Sequence, residues 1–248
     1  MRAQRAQRLR FYRNAPTPGE PLSSSRDSSE ILYGCVVPPV RLGSVNSHRL
    51  QPHPRTPGEF VQGIGAAAAL GPGAMRLRYR LDGDPRRIRI PSAAGGGRTD
   101  GLWKHTCLEA FVRIADAPQY LELNFSPSGQ WAAYRFEGYR EGMRPLELEE
   151  APRILVRSED AAPSGAIVSG LLELEALVRL PLLREATGRR LRLGLCAVLE
   201  DDAGGLSYWA LRHAPGRPDF HHPDAFALEL PVPGPSSRSP HAPPHIAP

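Results

Sequence analysis

The chain has 248 residues, a formal net charge of +5, and abundant proline (27) and glycine (24). Lys104 is the only lysine, and many arginines alternate with apolar residues, as in Met75-Arg76-Leu77-Arg78-Tyr79-Arg80. That is the wet face of a strand, whereas a nucleic-acid surface clusters its basic residues among aromatics. Cys35, Cys107 and Cys196 are odd in number and form no CxxC, which argues against a zinc ribbon or a disulfide scaffold and fits buried thiols in a reducing compartment. The basic start lacks a following apolar stretch and so does not read as a secretory signal. No apolar run is long enough to span a membrane. The expected location is the cytoplasm.

In chain order, residues 1–48 carry no sustained hydrophobic period and are expected to lack regular structure, although the apolar piece 31–40 has the composition to pack locally. Val61–Leu70 fits either a small-residue strand or a helix. Met75, Leu77, Tyr79 and Leu81 alternate with arginines and predict a strand, Asp82-Gly83-Asp84 turns the chain, and Ile88 and Ile90 continue the same period. Ser92–Thr99 is a glycine-rich loop. Cys107–Ile114, Tyr120–Phe125 and Gln130–Phe136 read as three strands, with weaker candidates at Ile154–Arg157 and Ile167–Leu172. A helix is expected at Leu174–Leu183, cut by Pro181. Leu191–Leu199 is a strand with Leu191, Leu193, Leu195, Ala197 and Leu199 on one face, and Ser207–Leu211 and Phe226–Leu230 follow. The last 18 residues hold seven prolines, so residues 234–248 are expected to lack regular structure too. About nine short strands with one or two short helices predict an all-β antiparallel sandwich over residues 49–233.

The three central strands are joined by short links, Ala115–Gln119 and Ser126–Gly129, and read as a meander. Pairing Ile114 with Gln119 and Phe125 with Gln130 sets the faces by the two-residue period. Leu108, Ala110, Val112, Ile114, Leu121, Leu123, Phe125, Ala132, Tyr134 and Phe136 then face the core. Cys107, Glu109, Phe111, Arg113, Tyr120, Glu122, Asn124, Trp131, Ala133 and Arg135 share the second face. In this register Glu109 lies opposite Asn124 and Phe111 opposite Glu122. Aromatic rings beside carboxylates, an amide and arginines suit a small polar ligand. The expected site is Glu109, Glu122, Asn124, Trp131 and Arg135, with Trp103 and Tyr139 at its rim. The same face also fits the solvated side of a sheet, with Arg113 and Arg135 balancing Glu109 and Glu122, or a surface covered by a protein partner.

Two blocks carry a resemblance. Asp100-Gly101-Leu102-Trp103-Lys104-His105-Thr106-Cys107-Leu108-Glu109-Ala110-Phe111, and then the run from Tyr120 through Asn124, Ser126-Pro127-Ser128-Gly129 and Trp131 to Tyr134, resemble bacterial DOMON-like proteins, which are related to family 9 carbohydrate-binding modules. Tyr208-Trp209-Ala210-Leu211 and Pro218-Asp219-Phe220-His221-His222-Pro223 are similar to the closing part of that family. The resemblance covers roughly residues 50–230. It implies a β-sandwich and, for the wider superfamily, binding of sugars or of haem.

The functional expectation is a non-catalytic module for a carbohydrate-like or other polar small molecule, with no metal and no resident cofactor. One alternative is a glycosidic-bond hydrolase using Glu109 and Glu122 as its carboxyl pair. Another is a haem domain, for which His105, His213 or Met143 would supply the axial ligand. His221-His222 are adjacent, point to opposite sides of an extended chain, and read as part of a turn capped by Asp219 or Asp224. There is no Gly-x-Ser-x-Gly elbow, His-Glu-x-x-His helix or Walker motif.

Overall fold

The structure, a computed structural model, describes residues 28–33, 46–92, 96–159 and 170–234. Its strands in chain order are β1 (Ser28–Tyr33), β2 (His48–Arg49), β3 (Gln51–Pro52), β4 (Val61–Gly71), β5 (Ala74–Gly83), β6 (Gly97–Arg98), β7 (Cys107–Ile114), β8 (Tyr120–Phe125), β9 (Gln130–Phe136), β10 (Arg144–Pro145), β11 (Arg153–Glu159), β12 (Gly170–Arg179), β13 (Arg190–Glu200), β14 (Leu206–Ala210) and β15 (Leu228–Pro231). One helix, α1 (Leu182–Glu185), follows β12.

The strands form two sheets that pack as a sandwich, the all-β class expected from the alternation. The first has six strands in the order β1-β11-β12-β5-β4-β2. The second has nine: β10-β9-β8-β7-β13-β14-β3, with β15 on β13 and β6 on β9. Every pairing is antiparallel except β6 with β9. Alternate residues of both sheets meet between them: Met75, Leu77, Tyr79 and Leu81 from β5, Leu172, Leu174, Ala176 and Val178 from β12, Leu108, Ala110 and Val112 from β7, and Leu191 to Leu199 from β13. The Tyr79 hydroxyl crosses the core and donates to the backbone carbonyl of Glu109 at 2.7 Å, so one sheet is tied to the other where β7 carries its first carboxylate. On the outer face of the six-stranded sheet the alternating arginines pair with β12, as in Arg78 with Glu173 at 2.8 Å and Arg76 with Glu175 at 3.3 Å.

Four sequence expectations change. Ser28–Tyr33 is a strand along the free edge of β11, inside the region expected to lack regular structure; the edge of β11 supplies the backbone partners that its own sequence does not advertise. The rest of residues 1–45 and residues 235–248 lie outside the described residues. The helix expected at Leu174–Leu183 is instead β12, paired with β5 over its whole length, and only Leu182–Glu185 is helical, after Pro181. Leu172, Leu174, Ala176 and Val178 satisfy the two-residue period, and the open edge of β5 decides between it and the helical one. Val61–Leu70 is a strand, as one of its two readings had it. Ile88 makes only an isolated bridge to Asp201, after a single 3-10 turn at Pro85–Arg87.

The fourth change alters the site. β7 pairs with β8 in the expected register, Glu109 with Asn124 and Phe111 with Glu122. β9 is one residue out of the expected register, with Phe125 opposite Trp131 and Glu122 opposite Tyr134. The cause is the turn. Ser126 N–H donates to the Gln130 carbonyl at 2.8 Å, and Gly129 N–H donates to the Ser126 carbonyl at 2.9 Å. Gly129 has φ +84°, so the loop is three residues ending in a left-handed glycine, not four residues. A one-residue slip inverts every side chain of the strand. Trp131, Ala133 and Arg135 therefore leave the second face, and Ala132, Tyr134 and Phe136 join it.

Leu123→Ala is expected to reduce unfolding free energy by about 2–5 kcal/mol, because Leu123 is 1% exposed in the main core. Arg135→Ala, on an exposed side chain, is expected to change it by less than about 0.5 kcal/mol. Denaturant titration reads both, and equal losses would refute the assigned faces.

Candidate functional site

The second face of the nine-stranded sheet is not open to solvent. It carries its own buried cluster: Cys107 and Phe111 from β7, Tyr120 from β8, Ala132, Tyr134 and Phe136 from β9, Cys196 and Val198 from β13, with Leu102, Phe220 and Phe226 packed over them. Within this apolar layer sit Glu109, Glu122 and Asn124, at 2%, 4% and 0% exposure. The structure thus brings together three of the five residues expected to form the site, and buries them.

The other two are elsewhere. Trp131 is half-buried against the main core on the opposite side of the sheet. Arg135 is exposed and pairs with Glu137 at 3.7 Å. Neither balances the carboxyl pair, and nor does Arg113, whose guanidinium stacks over the Phe226 ring at 4.7 Å. The two rim residues stay with this face. Trp103 packs edge-on against Tyr134, with ring centroids 5.7 Å apart. Tyr139 donates from its hydroxyl to the Asp219 carboxylate. The pattern missed Tyr134 and Phe136; a three-residue turn ending in Gly129 is the signal that finds them.

The polar contacts are few and directional. Asn124 Nδ2 donates to Glu122 Oε1 at 2.7 Å, along the same strand face. Asn124 Oδ1 and Glu109 Oε1 are buried and have no hydrogen-bond partner among the described residues. Burial pushes the Glu109 carboxyl well above the usual carboxylate range, and the neighbouring Glu122 adds to the shift. Burial raises Glu122 too, against the opposing pull of Asn124 and Arg140. Both groups are therefore biased toward the neutral acid, which donates as well as accepts.

His221 closes the face from above. Its ring lies 4.9 Å from that of Phe111 and 5.1 Å from that of Phe136. Tyr120 Oη is 2.8 Å from His221 Nδ1 and also accepts from the Arg140 backbone N–H at 3.2 Å. In the tautomer in which the tyrosine donates to Nδ1, a neutral imidazole carries its hydrogen on Nε2. Nε2 lies 3.8 Å from Glu122 Oε2. Burial, then the charge of Arg140, lowers His221 to about 4. Asp219 anchors this segment: it takes a hydrogen bond from Arg140 Nη2 at 2.7 Å and one from the His221 backbone N–H at 3.1 Å. The turn expected around the two histidines is present, with Asp219 as its cap.

No family model matches the chain, and no curated protein matches it. Among solved structures, the fold is similar to that of a candidate carbohydrate-binding protein from Bacteroides uniformis ATCC 8492, with a TM-score of 0.55, 14% identity, and coverage of 76% of this chain and 85% of that one. A carbohydrate binding module family 9 from Caldicellulosiruptor kristjanssonii, in complex with cellotriose, aligns over 87% of this chain and 97% of its own at 12% identity and a TM-score of 0.41. The first of these likenesses establishes a shared sandwich fold.

The buried acids predict a pH dependence. A carboxyl raised in the folded state holds its proton more tightly there, so it costs stability as pH climbs from its unfolded value of about 4.3 toward its folded one. His221 acts in the opposite sense, losing stability as pH falls from its unfolded value of about 6.5 toward about 4. Glu109→Gln removes the first effect alone. The variant's melting temperature is expected to gain on the parent's as pH climbs above about 4.3, and parallel profiles would show that Glu109 is not held as the acid.

Proposed function

We propose that the chain is a non-catalytic ligand-binding module of the DOMON-like kind, which takes a carbohydrate or similarly polar small molecule on the second face of its nine-stranded sheet. One observation carries this reading: Glu109 Oε1 and Asn124 Oδ1 are unpaired inside an aromatic-walled layer. Buried polar atoms are ordinarily satisfied, and leaving one unpaired costs about 1–3 kcal/mol. Two at one spot suit a ligand that supplies hydroxyls, while Phe111, Tyr120 and Tyr134 offer ring faces to its apolar side. Carboxyls biased by burial toward the neutral acid suit an uncharged ligand. Reaching them requires the segment around Asp219–Phe226 to lift.

The hydrolase alternative is disfavoured by the same electrostatics. A two-carboxylate mechanism needs one ionised group beside one protonated group, whereas burial drives Glu109 and Glu122 in the same direction. The haem alternative fits the residues poorly. His105 Nδ1 is 2.7 Å from Glu200, His213 Nε2 is 2.8 Å from the Gln51 carbonyl, and Met143 is an exposed side chain. Two buried free thiols, Cys107 and Cys196, suit a reducing compartment such as the cytoplasm.

A thermal-shift screen of neutral oligosaccharides tests the proposal. A ligand at about a hundred times its dissociation constant adds about 2.7 kcal/mol to stability. Asn124→Ala and Trp103→Ala are expected to remove that gain, Trp131→Ala to retain it, and no reducing ends to be released. A gain that depends on Trp131 and ignores Asn124 would place the ligand elsewhere.

A further inference from the structure

A second site lies on the same sheet beside the Phe226 edge of the aromatic cover, where β13 begins. A cavity of about 400 Å³ is lined there by Arg189, Arg190 and Arg192, with Glu229, Asp116 and Ala115 among the other walls. The strand registers explain the gathering. Arg192 is the cross-strand partner of Arg113 on one side and of Glu229 on the other. Arg190 lies two residues along β13 and so projects to the same face.

The charges do not balance. Glu229 accepts from both Arg190 Nη1 at 3.0 Å and Arg192 Nε at 2.9 Å, so one carboxylate serves two guanidiniums. Arg113, behind them, has no carboxylate partner among the described residues; its Nε is buried and unpaired, its guanidinium stacks over the Phe226 ring, and Arg192 lies opposite it. Arg189 has none either. Among the lining residues three arginines (Arg189, Arg190, Arg192) face two carboxylates (Glu229, Asp116), a surplus of one positive charge, and Arg113 stands behind Arg192. Like charges placed directly opposite in a strand pair destabilise it. Arginine does not escape by deprotonation. An oxyanion that accepts from several guanidiniums at once relieves crowding of this kind.

We infer that this cavity binds the phosphate or sulfate group of a small molecule, held by Arg189 and Arg192 and oriented by the Arg190–Glu229 pair. The uncompensated guanidinium charge suits an oxyanion. The volume exceeds a bare oxyanion and leaves room for the group that carries it, within the ordinary size of small-molecule sites. This inference is independent of the proposed oligosaccharide face, because none of the cavity's lining residues belongs to that cluster.

The experiment uses the full chain in a low-salt buffer, with inorganic phosphate, sulfate and glucose 6-phosphate as probes, and chloride at matched ionic strength and glucose as controls. Inorganic phosphate is expected to raise the melting temperature saturably, beyond chloride. Arg189→Gln and Arg192→Gln should each weaken apparent affinity at least about tenfold, the loss of one charge-assisted contact. Arg80→Gln, on the outer face of the other sheet, should leave it unchanged. Arg189 is exposed, so its variant stays informative if Arg192→Gln unfolds. Tighter binding of glucose 6-phosphate than of inorganic phosphate supports a sugar-borne group, and equal binding supports the free anion. Equal stabilisation by phosphate and chloride, or equal loss in Arg80→Gln, overturns the site.

Discussion

Burial of the nine-stranded sheet on both faces is the constraint from which the chemistry of this protein follows. A sheet in a two-layer sandwich ordinarily keeps one face wet. Here β8 is buried at every residue and β7 at all but Arg113, because the segment from Phe220 to Phe226 and the turn around Leu102 cover the side away from the main core. Carboxyl groups that would be ordinary on a wet face become expensive when dry. Arg140 offsets this only in part at Glu122, and burial biases both Glu109 and Glu122 toward the protonated acid. The Tyr79 hydrogen bond to the Glu109 carbonyl then fixes the backbone of that residue from the other sheet.

The cover is held in a mixed way. Phe220 and Phe226 are buried in the second cluster, while Asp219 is fastened by polar contacts from Tyr139 and Arg140 near the surface. Polar contacts at exposed positions are worth little individually and weaken in salt. The outer end of the cover is thus its looser end, and the aromatic end is the tighter one. The arginine-rich face of the six-stranded sheet differs: its charges alternate strand by strand with glutamates, a solvated lattice that needs no partner.

Much of this was legible in the residues. The alternation in Met75–Leu81 and Leu191–Leu199 revealed the core strands, and the short link at Ala115–Gln119 was enough to set Glu109 against Asn124. What failed did so for local reasons. Leu171 to Val178 satisfies both helical and strand periods, and only the neighbouring edge of β5 chooses. The faces of β9 hang on whether Ser126 belongs to the turn or to the strand, a difference of one hydrogen bond. That single residue moved Trp131 and Arg135 out of the candidate site and Tyr134 and Phe136 into it. The cover could not be read, because Phe220, His221 and Phe226 sit among prolines without any period.

The three-residue turn after Phe125 has a further consequence. Loops are where chains usually accept insertions and deletions, since little depends on their length. This one is different. The two faces of β9 carry unlike groups, Ala132, Tyr134 and Phe136 on one and Trp131, Ala133 and Arg135 on the other. Gain or loss of one residue between Ser126 and Gly129 exchanges them, and would drive Arg135 under the aromatic cover while removing Tyr134 and Phe136 from the floor beneath His221. Descent with variation in this chain is therefore expected to change the identity of the residues in that turn far more freely than their number.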